Sequence, residues 1–433
     1  MQPAREAELP RTLGLVDSVA IISGTMIGSG IFLVPNLVAR NVTTPAAILA
    51  VWIFTGVLSF FGALAYAELG AMIPATGGEY VYLRETYGPL WAFLCGWTLF
   101  FTTLTASVAW LAINFATYLA YFVPIAPPLR TVIALALIAA ITFVNYRGVT
   151  AGAAVQKTFT FLKLLGLAIL ILGAFAHPAH AAEPSTSAPL SFSGFGVAMI
   201  SGVLAYDGWI TLSLVAGEVR NPKRTLPLAL AIGIALVMAV YVLTNLAYLR
   251  VLTIQEIAAS DRVGAAAAGR ALGPLGASLV ALTVLMSITG SANGWTMTSP
   301  RLYFAQARDG LFPSAFARIH PRYQTPHCAI LWFGGWSALL VLTGTYETLA
   351  SYAMFSAWVF YGLTAAGLLV LRRRDPDRPR PYSMWGYPVT LVLFLAVAVG
   401  FIVNTLIATP GPSLMATLIM AAGVPVYFVW KRK

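Results

Sequence analysis

Residues 24–30 read GTMIGSG and residues 202–209 read GVLAYDGW, each in the middle of a long apolar run. Glycine lowers helix propensity by about 1 kcal/mol relative to alanine. Unwound backbone at membrane depth persists only where it lines a cavity or is buried in protein. The two stretches therefore predict two membrane helices that are interrupted, with a binding site at the interruptions.

The composition of the whole chain is that of a membrane protein. Of 433 residues, 59% are hydrophobic and 9% are charged, and the mean hydropathy is +0.81. A soluble domain is about 25% charged, so the chain lacks the polar surface that a water-soluble enzyme needs. We expect an all-α polytopic membrane protein that forms one transmembrane domain over residues 1–433.

Apolar runs long enough to cross a bilayer, about 20 residues each, recur along the chain and predict about twelve spans. Most of the 26 Lys and Arg residues fall in alternate loops, with Arg301 assigned to one of them. This bias predicts that both termini are cytoplasmic. It also explains the positive net charge without a nucleic-acid partner. Membrane lipid is the expected environment of the chain. The predicted spans are 14–35, 45–72, 88–122, 129–146, 154–176, 193–215, 225–249, 273–300, 327–344, 347–371, 386–408 and 411–430.

The two interruptions have a second interpretation, because glycines at such spacing also permit close helix packing. Either stretch alone would favour packing. A pair that begins five helices apart favours a transporter with inverted repeats. The first repeat then covers about 14–176, the second about 193–371, and additional helices about 386–430.

The broken ends suit a ligand that carries both charges. A helix amino terminus exposes N–H groups that favour a carboxylate, and a carboxyl terminus exposes carbonyls that favour an ammonium group. The amides around Gly28, Ser29 and Gly30 would bind the carboxylate. Carbonyls near Met26 and Leu204–Ala205 would bind the amine.

Several motifs occur along the chain: ISGTMIGSGIF at 22–32, AYDGW at 205–209, Gly217-Glu218, Asn221-Pro222, and GSANG at 290–294 before Arg301. Together they resemble the amino acid-polyamine-organocation superfamily, and within it the L-type amino-acid transporters and bacterial serine/threonine exchangers. The likeness runs from Gly14 to the last helix. It implies a five-plus-five inverted repeat, the fold of the bacterial leucine transporter, with discontinuous helices 1 and 6, and with one transporter domain over the whole chain.

The resemblance also implies roles for single residues. It assigns the substrate carboxylate to Ser29 and Gly30 and the amine to carbonyls of Met26 and Leu204. Leu204 stands where many L-type carriers have a gating phenylalanine, which weakens any claim to large aromatic substrates. Trp358 matches a position that shapes the side-chain pocket. The full predicted substrate-binding set is Met26, Ile27, Gly28, Ser29, Gly30, Leu204, Ala205, Asp207 and Trp358.

Lys163 is the one Lys or Arg that we place inside a predicted span. A charge at the bilayer centre costs about 2.5–3.5 kcal/mol on insertion scales, so it should face a partner or a wet cavity. Otherwise the helix starts later and Lys163 reaches the surface. In sodium-independent members of the family, a lysine stands where sodium-coupled relatives bind a cation. We therefore expect no requirement for Na⁺, with Lys163, Leu204 and Asp207 in coupling or gating.

Three carboxylates leave alternatives open. Asp207 could carry a proton, balance a cationic substrate, or cap broken-helix amides, and the last interpretation is slightly favoured. Glu68 could be a buried gate residue, although an interfacial carboxylate is commoner. Glu218 could pair with a basic residue and close the cytoplasmic path.

The function expected from these features is sodium-independent exchange of neutral L-amino acids across the plasma membrane, the inner membrane in a bacterium. The alternatives are proton-coupled amino-acid symport, or antiport of cationic amino acids or polyamines. No catalytic constellation, cofactor or metal site is expected, so the chain is not predicted to be an enzyme. The loop Phe122–Arg130 lacks the cysteine through which animal L-type carriers bind a heavy chain, so no disulfide-linked partner is expected.

Overall fold

The computed structural model describes residues 9–179, 191–344 and 346–431, and most residues in these ranges are helical. The helices of the first half are α1 (Leu15–Met26), α2 (Gly30–Asn41), α3 (Pro45–Met72), α4 (Glu79–Tyr87), α5 (Pro89–Thr98), α6 (Leu104–Leu119), α7 (Pro127–Tyr146) and α8 (Val149–Ala176). A π-helical turn, Leu99–Thr103, joins α5 to α6.

The second half, as the structure describes it, begins at residue 191. Its helices are α9 (Phe192–Ala205), α10 (Thr211–Leu214), α11 (Pro222–Val251), α12 (Ile254–Ala259), α13 (Val263–Leu272), α14 (Pro274–Thr298), α15 (Pro300–Arg308), α16 (His327–Thr343), α17 (Tyr346–Arg374), α18 (Val389–Ala408) and α19 (Pro410–Lys431).

Nine helical segments in the described ranges are long and apolar enough to cross a membrane, and α1 with α2 makes a tenth. Two further helices, Gly194–Ala205 and His327–Thr343, are apolar but shorter. The all-α polytopic fold is thus confirmed, whereas the count of twelve stays a prediction that depends on those two shorter helices.

Apolar side chains cover the outside of the bundle as well as its interior. On α18, Val389, Val392 and Val399 are all more than half exposed, although a water-soluble protein would not leave so many on one helix. Lipid is the medium in which this surface is stable, because acyl chains are as apolar as these side chains. The charged and polar groups are instead concentrated inside the bundle and at its ends.

Interhelical packing brings the two interrupted regions together. The bend between α1 and α2 is 46°; α2 packs on α9, and α1 packs on α10 and α11. Close approach at the crossing depends on glycine, because a Cβ at Gly30 would lie 3.0 Å from the Cα of Ala205. The two breaks therefore lie side by side in the core.

Several predicted boundaries and connections are corrected by the structure. The first interrupted helix continues to Asn41 rather than ending at 35, and α4 fills the gap before the third span. The stretch between the predicted spans 225–249 and 273–300 forms two short helices, α12 and α13. The prediction that Arg301 lies in a loop is wrong, because the residue lies in α15, which extends α14, and its side chain is fully buried.

The α12–α13 hairpin is held by local chemistry that its sequence encodes. Thr253 caps α12 by accepting from the Glu256 amide at 3.0 Å, while the Glu256 carboxylate accepts from the Thr253 amide at 2.7 Å. Arg270 on α13 donates to both oxygens of that carboxylate, at 2.6 and 2.9 Å. The Arg270 hydrogen bond lowers the pKa of Glu256.

Candidate functional site: two broken helices in contact

The first break is a short irregular segment between α1 and α2. The helical hydrogen-bond pattern stops at Ile27, which has φ −75° and ψ 85°. Gly28 donates back to the Met26 carbonyl at 2.8 Å, and α2 begins again at Gly30. The carbonyls of residues 24–28 are thus released from regular helix bonding while they are buried.

Side chains from other helices satisfy these carbonyls. Lys163 on α8 donates its ammonium group to the carbonyls of Gly24 at 2.7 Å, Ile27 at 2.6 Å and Ser287 at 3.1 Å. Lys163 is fully buried, and its three donors have three oxygen acceptors. Its position as an intramembrane cation that caps broken backbone agrees with the interpretation that it stays in the bundle rather than reaching the surface.

Two serines on α14 complete this arrangement. Ser287 Oγ lies 2.7 Å from the Ile27 carbonyl and 3.1 Å from the Gly28 carbonyl. Ser291 Oγ lies 2.9 Å from the Thr25 carbonyl and 3.2 Å from that of Gly24. Together with Lys163 they form what we call the carbonyl cage: Lys163, Ser287 and Ser291 around the backbone of residues 24–28.

The amino end of α2 has the opposite character. The amides of Ser29 and Gly30 form no hydrogen bond within the described ranges, as expected for the first N–H groups of a helix. Ser29 Oγ is buried and has no hydrogen-bond partner in the part of the chain described. These N–H and O–H groups can bind a carboxylate by donating hydrogen bonds to its oxygens.

The second break separates α9 from α10 and is less enclosed. Gly208 adopts φ +116°, a region that disfavours residues with a Cβ. A Cβ there would lie 3.1 Å from Thr25 Cγ2 and 3.2 Å from the Met26 amide. Glycine at this position therefore permits both the turn and direct contact with α1.

One tyrosine joins the two breaks. The hydroxyl of Tyr241 on α11 lies 3.0 Å from the Met26 carbonyl and 2.8 Å from the Ala205 carbonyl. It has one proton to donate, so it can serve either carbonyl and leave the other for an ammonium group. Sequence reasoning missed Tyr241, because a tyrosine inside an apolar span carries no positional signal.

Asp207 lies at the second break and is held by a neighbour on α17. Tyr361 donates to Asp207 Oδ1 at 2.9 Å. The Tyr361 ring is 5.4 Å from the Trp209 ring, which in turn packs 4.8 Å from that of Tyr66. Tyr66 also donates a short hydrogen bond to the buried Glu79 on α4. This aromatic cluster connects the second break to α3, α4 and α17.

The remaining predicted site residues have different environments. Leu204 is 38% exposed, whereas Ala205 is buried against Gly30. Trp358 is buried and stacks on Phe401 of α18 with ring centroids 4.9 Å apart. Among the α17 side chains that the structure describes, Tyr361 rather than Trp358 forms a hydrogen bond to the broken region.

One end of the site is closed by buried polar contacts. Arg301 donates to both carboxylate oxygens of Glu218, at 2.8 and 3.2 Å, with neither side chain exposed. Leu13 pairs with Val219 in a parallel bridge, and all residues from Thr211 to Ala216 are buried. Gly30 and Asp207, on the other side of the breaks, are partly exposed. The suggested pairing of Glu218 with a basic residue is therefore present.

A second ion pair lies at the same end. Glu68 is fully buried and accepts from Arg372 at 2.9 and 2.6 Å and from the Met384 amide at 2.6 Å. The commoner expectation for Glu68, an interfacial carboxylate, is wrong, because α17 and the segment after it cover that position.

Comparison with known proteins decides the family. The Amino acid permease family matches residues 13–430. The chain belongs to this family. The human b(0,+)-type amino acid transporter 1 is 36% identical over 440 residues, which cover 99% of this chain and 90% of that protein. The rat large neutral amino acids transporter small subunit 2 is 37% identical over 444 residues, covering 98% and 82%.

Membership of this permease family agrees with the geometry and with the expectation that the chain is not an enzyme, since these relatives are transporters. No group of three or more His, Cys, Asp or Glu residues suited to a metal ion occurs among the residues that the structure describes. The two cysteines are Cys95, which is buried, and Cys328; neither lies in the loop Phe122–Arg130.

Proposed function

We propose that the protein exchanges neutral L-amino acids across the plasma membrane without Na⁺, by alternating access at the two breaks. The observation that carries this proposal is the carbonyl cage. A Na⁺ ion would need free oxygen ligands at the first break, but the Lys163 ammonium group already uses the carbonyls of Gly24, Ile27 and Ser287. A fixed positive charge replaces the coupling ion there.

The substrate's two charges have complementary groups beside the cage. Its carboxylate would accept from the amides of Ser29 and Gly30 and from the unpartnered Ser29 hydroxyl. Its ammonium group would bind the carbonyls of Met26 and Leu204, with Tyr241 releasing Met26 and donating to Ala205. Leu204, which is partly exposed, would close over the side chain as the bundle moves.

Alternating access requires one end to be closed while the other is open. The buried Arg301–Glu218 pair closes the end that the positive-inside rule assigns to the cytoplasm. With both termini cytoplasmic, the present conformation would open outward, since Gly30 and Asp207 retain exposure. Breaking the pair inside the membrane costs free energy, which substrate binding would have to offset.

A second candidate function, proton-coupled uptake or transport of a cationic substrate, rests on Asp207. It is a partly exposed carboxylate at the second break, and in the described ranges its side chain forms no ion pair. Against it, Tyr361 holds Asp207 in a fixed position, which suits a structural carboxylate. One relative, the large neutral amino acids transporter small subunit 2, is named for neutral substrates, which favours them here.

The words "small subunit" in that name raise the question of a partner chain. We propose that this protein works without a disulfide-linked partner, because neither of its two cysteines lies in Phe122–Arg130. Non-reducing and reducing electrophoresis of the protein from its native membrane tests this. A larger species that reducing agent converts to the single chain would contradict it.

The test of function is uptake of labelled neutral amino acids into proteoliposomes in Na⁺-free buffer at equal pH on both sides. Exchange predicts uptake only when the vesicles contain unlabelled amino acid. Uptake into empty vesicles that requires an imposed pH gradient would identify a symporter instead. Uptake that requires Na⁺ would contradict the role given to Lys163.

A further inference from the structure

A groove that the transport mechanism does not use lies between the end of α4 and the end of α17. It has a volume of about 490 Å³ and is lined by Tyr87, Ala366, Leu369, Val370, Arg373 and Arg374. It opens at the same end of the bundle as the Glu68–Arg372 pair. A volume in this range suits a small organic ligand.

The groove has an apolar wall and a charged rim. Ala366, Leu369, Val370 and Arg373 recur at helical spacing on one face of α17, and the first three are partly exposed. Their exposed surface faces lipid, because α17 spans the membrane. Arg373 follows one turn later, where the helix leaves the apolar region.

The charges at the rim are not neutralised by the protein. The Arg373 side chain is exposed and forms no hydrogen bond or ion pair in the described part of the chain. Arg374 donates to the backbone carbonyls of Glu85 and Thr86 at the end of α4, which orients its guanidinium but supplies no opposite charge. Neighbouring Arg372, by contrast, is paired with Glu68.

Aromatic side chains place this rim at the level of lipid headgroups. Tyr87 donates to the Leu363 carbonyl at 3.1 Å, which fixes its ring in the groove. Trp91 lies 6.5 Å from that ring and is 42% exposed. Tyr and Trp are enriched at the membrane–water interface, so the groove spans the boundary between acyl chains and headgroups.

We propose that this groove, which we call the α4–α17 groove, binds one anionic phospholipid. The phosphate would accept from Arg373 and Arg374, and an acyl chain would lie along Ala366, Leu369 and Val370. Charge complementarity favours an anionic over a zwitterionic headgroup, since the two arginines have no carboxylate partner. A bound lipid would link α4 to α17, which carry Glu79 and Tyr361 of the aromatic cluster.

The test is native mass spectrometry of the full chain in detergent, titrated with phosphatidylglycerol or phosphatidylcholine. Preferential retention of one phosphatidylglycerol is expected. Arg373→Gln should weaken it about fivefold, the effect of one basic residue near an anionic headgroup. Arg224→Gln removes another exposed arginine, at the start of α11, and should leave retention unchanged.

Two further measurements exclude other sources of the signal. Ala366→Trp fills the apolar wall without altering charge and should also reduce retention, because the acyl chain loses its place. Excess inorganic phosphate should not displace the lipid; displacement would show a site for small anions and overturn the proposal. Equal retention of both lipids, or equal losses in Arg373→Gln and Arg224→Gln, would overturn it as well.

Discussion

The two breaks differ in how their backbone is held. At the first, the carbonyls of Gly24, Thr25, Ile27 and Gly28 accept from side chains of α8 or α14, and Met26 shares the one proton of Tyr241 with Ala205. At the second, Asp207 accepts from Tyr361, and the Gly208 carbonyl accepts from Thr211 of the same segment. The first break is also fully buried up to Ser29, whereas Leu204 and Asp207 retain exposure. The difference indicates a fixed half and a mobile half of one site.

This asymmetry indicates different roles for the two breaks. A buried carbonyl that loses its partner costs about 1–3 kcal/mol, so rearranging the first break would sacrifice several hydrogen bonds at once. Rearranging the second sacrifices fewer hydrogen bonds to other helices. The cage therefore fixes the first break, which carries the carboxylate-binding amides, while closure involves the side with Leu204.

The largest effect is expected from removing the centre of the cage. Lys163→Ala would leave the carbonyls of Gly24, Ile27 and Ser287 short of a donor, and we expect exchange to fall by roughly a hundredfold, given about 1–3 kcal/mol for each unsatisfied carbonyl. Exchange in proteoliposomes measures this. Lys223→Ala, at an exposed lysine on α11, is the control. Near-normal exchange in Lys163→Ala would refute the fixed cage.

The next largest effect is expected from Gly208, where the second break contacts the first. Gly208→Ala places a Cβ 3.1 Å from Thr25 Cγ2 in a residue with φ +116°, and positive φ costs a residue with a Cβ about 1–2 kcal/mol. We expect a lower unfolding temperature in a thermal melt of the purified protein. Gly196→Ala, on α9 with nothing within 4 Å of its Cβ, should leave the melt unchanged. Equal melts for both variants would show that the breaks need not touch.

A smaller effect is expected from the hydroxyl that bridges the breaks. Tyr241→Phe removes one hydrogen bond of about 1 kcal/mol, so apparent substrate affinity should weaken about fivefold while the protein stays folded. Tyr248→Phe is the matched control on the same helix, since its hydroxyl donates to the Ile31 carbonyl, at 3.3 Å, outside both breaks. If both variants transport like the parent, Tyr241 does not couple the halves.

The smallest effect is expected at Asp207. Asp207→Asn keeps an oxygen that can accept from Tyr361. Because this hydrogen bond is kept, the rate of exchange should change by less than about twofold. Its rate should also show the same pH profile as that of the parent protein between pH 5.5 and 8. Loss of a pH optimum in the variant would make Asp207 a proton carrier and favour the symport mechanism.

The sequence predicted the broken helices because glycine and polar groups in an apolar run are conspicuous. Lys163 was predictable for the same reason, since an intramembrane charge needs a partner. The residues that complete the carbonyl cage were not predictable. Serines such as Ser287 and Ser291 are common in membrane spans and therefore give no signal in the sequence. Only the packing of α14 against α1 brings their hydroxyls to the backbone of residues 24–28.

Connections were predicted less well than spans. The basic charge of Arg301 suggested a cytoplasmic loop, yet Glu218 compensates that charge inside the bundle. Glu68 likewise looked interfacial because its partner, Arg372, lies 304 residues away in sequence. Long-range ion pairs leave no local pattern, so neither burial could be read from composition or periodicity.

The asymmetry of the breaks is tested most directly by amide hydrogen exchange, followed by mass spectrometry on the protein in lipid with and without a transported amino acid. We predict slow exchange for peptides covering residues 23–28 in both states. Peptides covering residues 204–210 should exchange fast without substrate and markedly more slowly with it. Fast exchange in the first segment, or a substrate effect confined to it, would contradict the account of one fixed and one mobile break.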